Sequence, residues 1–496
     1  MNALKAPPPA KSAPSCGTWR NALEGCLSVV AAVAMTAATG CTALLALGAG
    51  EVAPLSQLVP TVVSVCFGSR ITLASASAAS PGESGGAADG LLGALGGLSL
   101  GIDGHASALP LMLTLLGTAV LAVGFFRPLR RRARPGPAQI LARSFGALTA
   151  AVVLFPVLAV LARGTARLPE KLTGQLGGGG AGRGLGKLTG GGGLSSVTFT
   201  TDPVRTILFG CLWVVVVLGI GCVAARRTTL PLPIALSRIR LKWNPVASSL
   251  AGIFIVLCCL VLGAAALAGA AALTGRGQTE KVAGVLLLAG PNLLAVLLTS
   301  GLGSSWQAGL ERQQGQGGGL MGALGGGGQA ASPAADRSVA LSDWPVAGAP
   351  VWLIGLLVLL FLLVLAGYLA AARTPARTAH QEADALLGRH LELGLRTGIA
   401  VALCAMLLAL LSQASLQIGI SVMGNEMGGM RAGLDGSVEL SGLTGFVLAA
   451  GASYCGSRLH GMHTARRHSA SRATRTRHPG ARQVPSKSPS QDRVLS

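Results

Sequence analysis

Gly290-Pro291-Asn292, with Gly303 and Ser304 further on, is the group in this sequence whose residue types and spacing best suit binding. It interrupts the apolar stretch from Val282 to Trp306, VAGVLLLAGPNLLAVLLTSGLGSSW. Proline lacks a backbone donor and its ring clashes with the carbonyl one turn earlier, so a helix here is expected to kink or split into two half-helices. A break at membrane depth frees carbonyls and amides that protein, water or a ligand must satisfy, and Asn292 can donate and accept beside them. That chemistry is recognition of a small solute or ion, without catalysis. A second reading stands beside it: a proline kink packed by glycines such as Gly301 and Gly303, which let helices approach closely. The residues alone leave both open.

Other candidates fall short of a reaction. Ser304-Ser305 has no histidine near it in the apolar stretch, and Ser453 lacks the second glycine of a nucleophile elbow. The Gly-rich segment Arg163 to Arg205 tempts with a phosphate loop, yet Leu188 stands where a Ser or Thr must follow Lys187. His460, His463 and His468 lie in an arginine-rich tail, where solvated charge explains them better than a metal does. Five of the ten cysteines (Cys211, Cys222, Cys258, Cys259 and Cys404) lie inside apolar blocks without C-x-x-C spacing and read as small hydrophobes. A bond between Cys41 and Cys66 has no support. Glu24 and Arg143 fall at the ends of apolar blocks, placed to snorkel, and no Asp or His lies within a clear block, which argues against proton coupling. The sequence therefore predicts no catalytic residue, no metal, no cofactor and no enzyme.

The elements that must position these residues are membrane spans. The chain is 51% hydrophobic but 11% charged, whereas a soluble domain carries roughly a quarter charged residues. Its apolar residues cluster in blocks of about twenty, the length that crosses a hydrocarbon core about 30 Å thick. The fold class expected is all-α, a polytopic helical bundle. Full spans are read near residues 26–47, 109–126, 140–161, 207–225, 246–273, 352–371, 398–420 and 443–455. Segments 55–74 and 282–304 are read as broken or re-entrant, the first because it holds Pro60 and Arg70. Residues 1–20 form a basic Pro-rich tail followed by an uncleaved first span, and 458–496 form a basic disordered tail.

The net charge of +21 comes from short basic runs beside apolar blocks, such as Arg127 to Arg134, Arg226 to Lys242 and Arg373 to Arg377. The positive-inside rule accounts for them, and no basic segment carries the interleaved aromatics of a nucleic-acid binder. The partners expected are the lipid bilayer, with anionic lipid at the tail, and no nucleic acid. Arginine-rich, Ala- and Gly-rich usage points to the codons of a G+C-rich bacterial genome, and the location expected is a bacterial plasma membrane with both termini cytoplasmic.

With the Arg226 to Lys242 and Arg373 to Arg377 loops both inside, an even number of crossings must separate them, yet three apolar blocks do. A hairpin turning at Gly290-Pro291-Asn292 restores parity, and Trp306, Trp344 and Trp352 then share the outer interface. The chain divides into repeats 21–245 and 246–457. Each reads long span, broken segment, Gly-rich outer loop (76–106, 307–349), span, inside loop, span, outer loop (163–205 in the first), span, at offsets of roughly 225 to 245. Both repeats start inside, so the duplication is parallel.

Several pieces also resemble a known family: Phe125-Phe126-Arg127-Pro128-Leu129, Phe209-Gly210-Cys211-Leu212-Trp213 leading to Ala225-Arg226-Arg227, Gly290-Pro291-Asn292-Leu293 leading to Gly301-Leu302-Gly303-Ser304-Ser305-Trp306, and Arg373-Thr374-Pro375-Ala376-Arg377. Over about Gly25 to Gly456 the chain is similar to the streptophobe family of actinobacterial membrane proteins. The resemblance implies a multi-pass membrane protein of no assigned activity and carries no site residues over. The glycine insert from Gly177 to Gly193 departs from the pattern. A permease is the leading expectation, and a structural or assembly protein of the envelope is the alternative.

Overall fold

The computed structural model describes residues 16–75, 100–130, 137–167, 196–224, 234–272, 277–314, 337–340, 345–346, 349–375, 387–422 and 425–476. The Gly177 to Gly193 insert, the Gln381 to Leu386 part of the segment before the seventh full span and the chain beyond Thr476 lie outside these residues, as does Trp344.

The chain is a helical membrane bundle. Among the described residues its ten α-helices are α1 (Cys16–Ala46), α2 (Leu55–Cys66), α3 (Leu111–Arg130), α4 (Pro137–Leu161), α5 (Pro203–Ala224), α6 (Ile234–Ala272), α7 (Gly277–Gly301), α8 (Val351–Arg373), α9 (Arg389–Ser412) and α10 (Val438–Thr476). All but α2 are long and apolar enough to cross a membrane.

The segments expected to be outer loops, the end of the segment 55–74 expected to be a broken helix and the end of the span expected over 398–420 hold strands instead. They are β1 (Ile71–Ser75), β2 (Leu100–Ala108), β3 (Arg163–Arg167), β4 (Ser196–Thr201), β5 (Trp306–Gln314), β6 (Arg337–Ala340), β9 (Ala414–Val422) and β10 (Asn425–Gly436), which form one antiparallel sheet in the order β3-β4-β1-β2-β9-β10-β5-β6. A small hairpin, β7 (Pro345–Val346) with β8 (Ala349–Pro350), precedes α8. Consequently α9 stops at Ser412 where the span was expected to reach Ile420. The sequence hides the sheet because its strands are glycine-rich and find their partners far along the chain, as when Ala108 pairs with Ala414. Short β-branched runs such as ITLAS and SVTFTT were the available signal.

Every strand end nearest a helix lies on the same edge of the sheet: Ala162 runs into Arg163, Thr201 into Pro203, Ala108 into Leu111, Ser412 into Ala414 and Gly436 into Val438. One end of the bundle therefore carries the sheet, and the other carries Arg127, Lys242 and Arg373. At that other end Val246 of α6 packs with Ala370 and Ala371 of α8 and Leu393 of α9. There too, Arg396 donates to the Lys242 carbonyl at 3.2 Å and Arg373 to Ser248 Oγ at 3.1 Å.

From Ser248, α6 rises about 36 Å to Ala272 at 1.5 Å per residue, enough to reach the sheet side. There Gly269 lies beside Ala283 of α7, and the far end of α7 leads into β5 in the sheet. α7 thus starts beside the sheet-side end of α6 and leads back into the sheet, and it is one of nine described helices long and apolar enough to cross a membrane. The expected hairpin at Gly290-Pro291-Asn292 is corrected, however: α7 runs unbroken through Pro291. Proline is no breaker in this chain, since Pro60, Pro128, Pro156 and Pro245 also sit inside helices, where packed neighbours hold the backbone. The chain turns instead at Gly303, in the left-handed region at φ 81°.

Two further boundaries differ from expectation. α6 begins at Ile234 and takes in Arg238, Arg240 and Lys242, and α10 continues through the basic stretch to Thr476. From Gly461 to Thr476 no Gly or Pro follows the first residue, and Ala and Arg sustain a helix well. Residues 458–476 are accordingly helical, not a disordered tail.

The repeat is written into the sheet. β3-β4-β1-β2 and β9-β10-β5-β6 are one four-strand unit twice over, and each unit follows the same chain order of helices.

Candidate functional site

The residues singled out above lie along and just beyond the inserted part of α7, which has a counterpart in α2. Residues 55–66 and 290–301 are 235 positions apart. Twelve residues span about 18 Å, too short to cross. At its start, Gln57 Oε1 accepts the Thr165 backbone N–H of β3 at 3.3 Å. At its end the Cys66 carbonyl accepts from Thr114 Oγ1 at 2.9 Å, and Phe67 packs against Phe155 and Trp213 with ring centroids 5.1 and 4.7 Å away. The helix therefore dips into the centre of α1, α3, α4 and α5, and Phe67 joins their core. Gly68, at φ 93°, turns the chain back to β1.

The second tip repeats the backbone turn of the first. Phe67 N–H and Ser69 N–H donate to the Ser64 carbonyl at 3.2 Å each; Leu302 N–H and Ser304 N–H donate to the Thr299 carbonyl at 3.1 Å each. Gly68 and Gly303 both need positive φ, which a side chain resists. Ser69 Oγ accepts from Thr206 Oγ1 at 3.0 Å and faces the Asp202 carbonyl, while Ser304 Oγ lies 3.2 Å from both the Ser437 carbonyl and Ser437 Oγ. Ser69 and Ser304, Asp202 and Ser437, Thr206 and Ser441 are each 235 positions apart. Leu302 takes the place of Phe67, among Leu359, Leu363, Val401, Ala405 and Ala449.

The structure thus gives each sequence-chosen residue a partner within the protein. Asn292 Nδ2 donates to the Leu109 carbonyl at 2.7 Å and its Oδ1 accepts the Leu111 N–H at 3.0 Å. It clamps the second repeat onto the β2–α3 junction of the first, where Pro110 interrupts the backbone pairing. Pro291 is buried, and a Cβ on Gly290 would lie 2.4 Å from Val261 Cγ1, so Gly290 lets α7 close on α6. Gly303 makes the turn and Ser304 pins it to the start of α10. Gly301 meets Gly355 of α8 backbone to backbone: a Cβ there would lie 2.5 Å from the Gly355 carbonyl carbon. All five are brought to one helix and its turn.

Two expectations about neighbours change. Trp306 is not at an interface; it is fully buried, donates Nε1–H to Thr299 Oγ1 at 2.9 Å and lies so close to Gly436 that a Cβ would come within 2.7 Å of its ring. Arg143 does not snorkel; it is 1% exposed, 3.1 Å from Glu24, donates to the Gly124 carbonyl at 3.1 Å and lies over the Phe125 ring at 5.3 Å. Close backbone contact of Gly25 and Gly146 with the facing helices of α1 and α4 brings these groups together. Cys41 and Cys66 are free thiols.

The residues that sequence reasoning missed are Ser69 and its partners Asp202 and Thr206. Their signal was the Phe-Gly-Ser of residues 67–69 matching Leu-Gly-Ser of 302–304 at the repeat offset. Among the described residues no group of three or more His, Cys, Asp or Glu is placed to hold a metal. No family model, curated protein or solved structure matches the chain.

Proposed function

We propose that this chain is a non-enzymatic, structural or assembly protein of the bacterial envelope: eight spans anchor it in the plasma membrane and hold out the eight-stranded sheet on the outer side. The observation that carries this reading is the saturation of the inserted tips. The polar groups that a permease would offer to a solute, Asn292 and Ser304 in one repeat and Ser69 in the other, are held by backbone or hydroxyl partners within the protein. Phe67 and Leu302 fill the space beyond them with apolar side chains. Charge sets the orientation: Arg127 near the end of α3, Lys242 near the start of α6 and Arg373 at the end of α8 lie at the end opposite the sheet, and with the positive-inside rule that end and both termini face the cytoplasm. The arginines of α10 and the residues after it then meet anionic lipid. Membership of the streptophobe family is part of the same reading and rests on the motifs quoted above.

Profiling a deletion strain tests the choice. The expected result is an altered envelope, seen as sensitivity to detergent and osmotic shock, with solute pools unchanged and restored resistance on re-expression. A single solute that accumulates or vanishes in the deletion strain, and that crosses proteoliposomes holding the purified full chain but not empty ones, overturns the reading in favour of a permease.

A further inference from the structure

Three arginines of the first repeat lie on the sheet side, where the positive-inside rule disfavours them under the orientation proposed above. Arg163 follows the end of α4, Arg205 lies in the first turn of α5 and Arg70 stands just before β1. The sheet brings them together. Arg163 pairs with Thr200 on β4, Thr200 pairs with Thr72 on β1, and one step nearer the membrane the Asp202 N–H donates to the Arg70 carbonyl at 3.3 Å. Successive strand residues alternate faces, so Arg163, Thr200, Thr72 and Arg70 share one. The opposite face is closed there, since a Cβ on Gly164 would run into Gln57 and Phe199. Two strand spacings, about 10 Å, separate Arg163 from Thr72, and Arg70 lies about 7 Å further along β1, a gap that two extended arginine side chains can close on one group.

Arg70 and Arg163 are exposed, and among the described residues neither has an acidic partner. Arg205 Nε lies 3.3 Å from Asp202 Oδ2. Asp202 is also held at the start of α5, where its Oδ1 accepts the Val204 and Arg205 N–H groups at 3.0 and 3.3 Å, so this one carboxylate leaves the group of three arginines positive. The second repeat shows what the fold itself needs at these places. The offset of 235 that relates Ser69 to Ser304 carries Arg70 to Ser305 and Arg205 to Leu440. Arg163, opposite Thr200, corresponds to the residue opposite Asp435, which is Gln413 because Ala414 pairs with Leu434. The same backbone is therefore built with Ser, Gln and Leu, and the three arginines are free to serve something else.

We propose that Arg70, Arg163 and Arg205 hold the phosphate of an anionic lipid in the outer leaflet. The guanidinium fork suits phosphate oxygens, and the outer ends of α4 and α5 lie at the level of the headgroups. Exposed Val160 and Leu161 before Arg163, with Val204 and Leu208 beside Arg205, offer apolar surface for the acyl chains. Such a lipid ties the base of the first repeat's half of the sheet to its leaflet. Only the choice of leaflet rests on the orientation proposed above, so an inverted molecule would move the lipid to the inner leaflet without abolishing its site.

Val204 and Glu439 are the same position of the two repeats, and both are exposed. The photoreactive residue benzoylphenylalanine is placed at one or the other in the full chain, and cells grown on radiolabelled phosphate are illuminated. Label captured at Val204 and released by phospholipase is expected, with little at Glu439. Arg70→Ser with Arg163→Gln, which leaves the Arg205–Asp202 pair in place, should cut the capture at Val204 several-fold, and adding Arg205→Leu should bring it to the Glu439 level. An unchanged unfolding midpoint in detergent shows that these variants fold; if the pair lowers it, Arg163→Gln alone on the end strand β3 takes the same test. Equal capture at the two positions, or capture at Val204 that survives the substitutions, marks a lipid of the ordinary annulus and overturns the proposal. So does the absence of phospholipase-sensitive label while inorganic phosphate stabilises the purified chain but not the Arg70→Ser, Arg163→Gln variant, which would assign the site to a free anion.

Discussion

Glu24 and Arg143 show how strongly a single contact is priced inside a membrane. Arg143 is buried against Phe125 and Gly124, and its charge is tolerated because Glu24, with a quarter of its side chain exposed, lies 3.1 Å away. Removing one partner leaves a buried charge uncompensated, which costs about 3–5 kcal/mol in such pairs, whereas replacing both with apolar groups is close to neutral. Glu24→Gln is therefore expected to lower the thermal unfolding midpoint in detergent by several degrees. Glu24→Leu with Arg143→Met should recover most of the loss. Equal losses in the single and double variants would show that the pair contributes nothing of its own.

At the scale of elements, the inserted helices are held by turns and clamps. Asn292 joins α7 to the β2–α3 junction through two hydrogen bonds, and Asn292→Ala would leave the Leu109 carbonyl and Leu111 N–H without their partner. A buried group left unpaired costs about 1–3 kcal/mol, so a loss of about 2 kcal/mol is expected, measured as reduced resistance to denaturant of the purified chain. The same substitution leaving stability unchanged while altering solute flux would speak for the permease instead. Pro291, whose position suggested a break, is absorbed by a helix packed on several sides, while the reversal falls to Gly303, further along the chain. Periodicity and proline chemistry identify where a helix is weak; whether it breaks depends on neighbours that the local sequence does not name.

For the molecule as a whole, orientation is the claim most open to test. Met430 is exposed on β10 and Arg238 lies near the start of α6. Met430→Cys is expected to react with a membrane-impermeant thiol reagent in intact cells, above the level of the parent chain, and Arg238→Cys only after lysis. The reverse pattern would invert the molecule.

The class of the protein was legible in composition, because a chain with this little charge cannot cover itself in water. The order of apolar blocks and basic runs was legible too, since block length and charge are local properties that each repeat carries along its own chain. The sheet was not, because its ladders join residues as far apart as Leu100 and Val422 and its strands are rich in glycine, which has no side chain to announce a face. Nor was the fate of Asn292: an amide that can donate and accept reads equally as a ligand group or a clamp until the backbone it meets is known. Tertiary structure decided that, because hydrogen bonds are satisfied by whatever the fold brings within about 3 Å, and in this fold it brings Leu109 and Leu111.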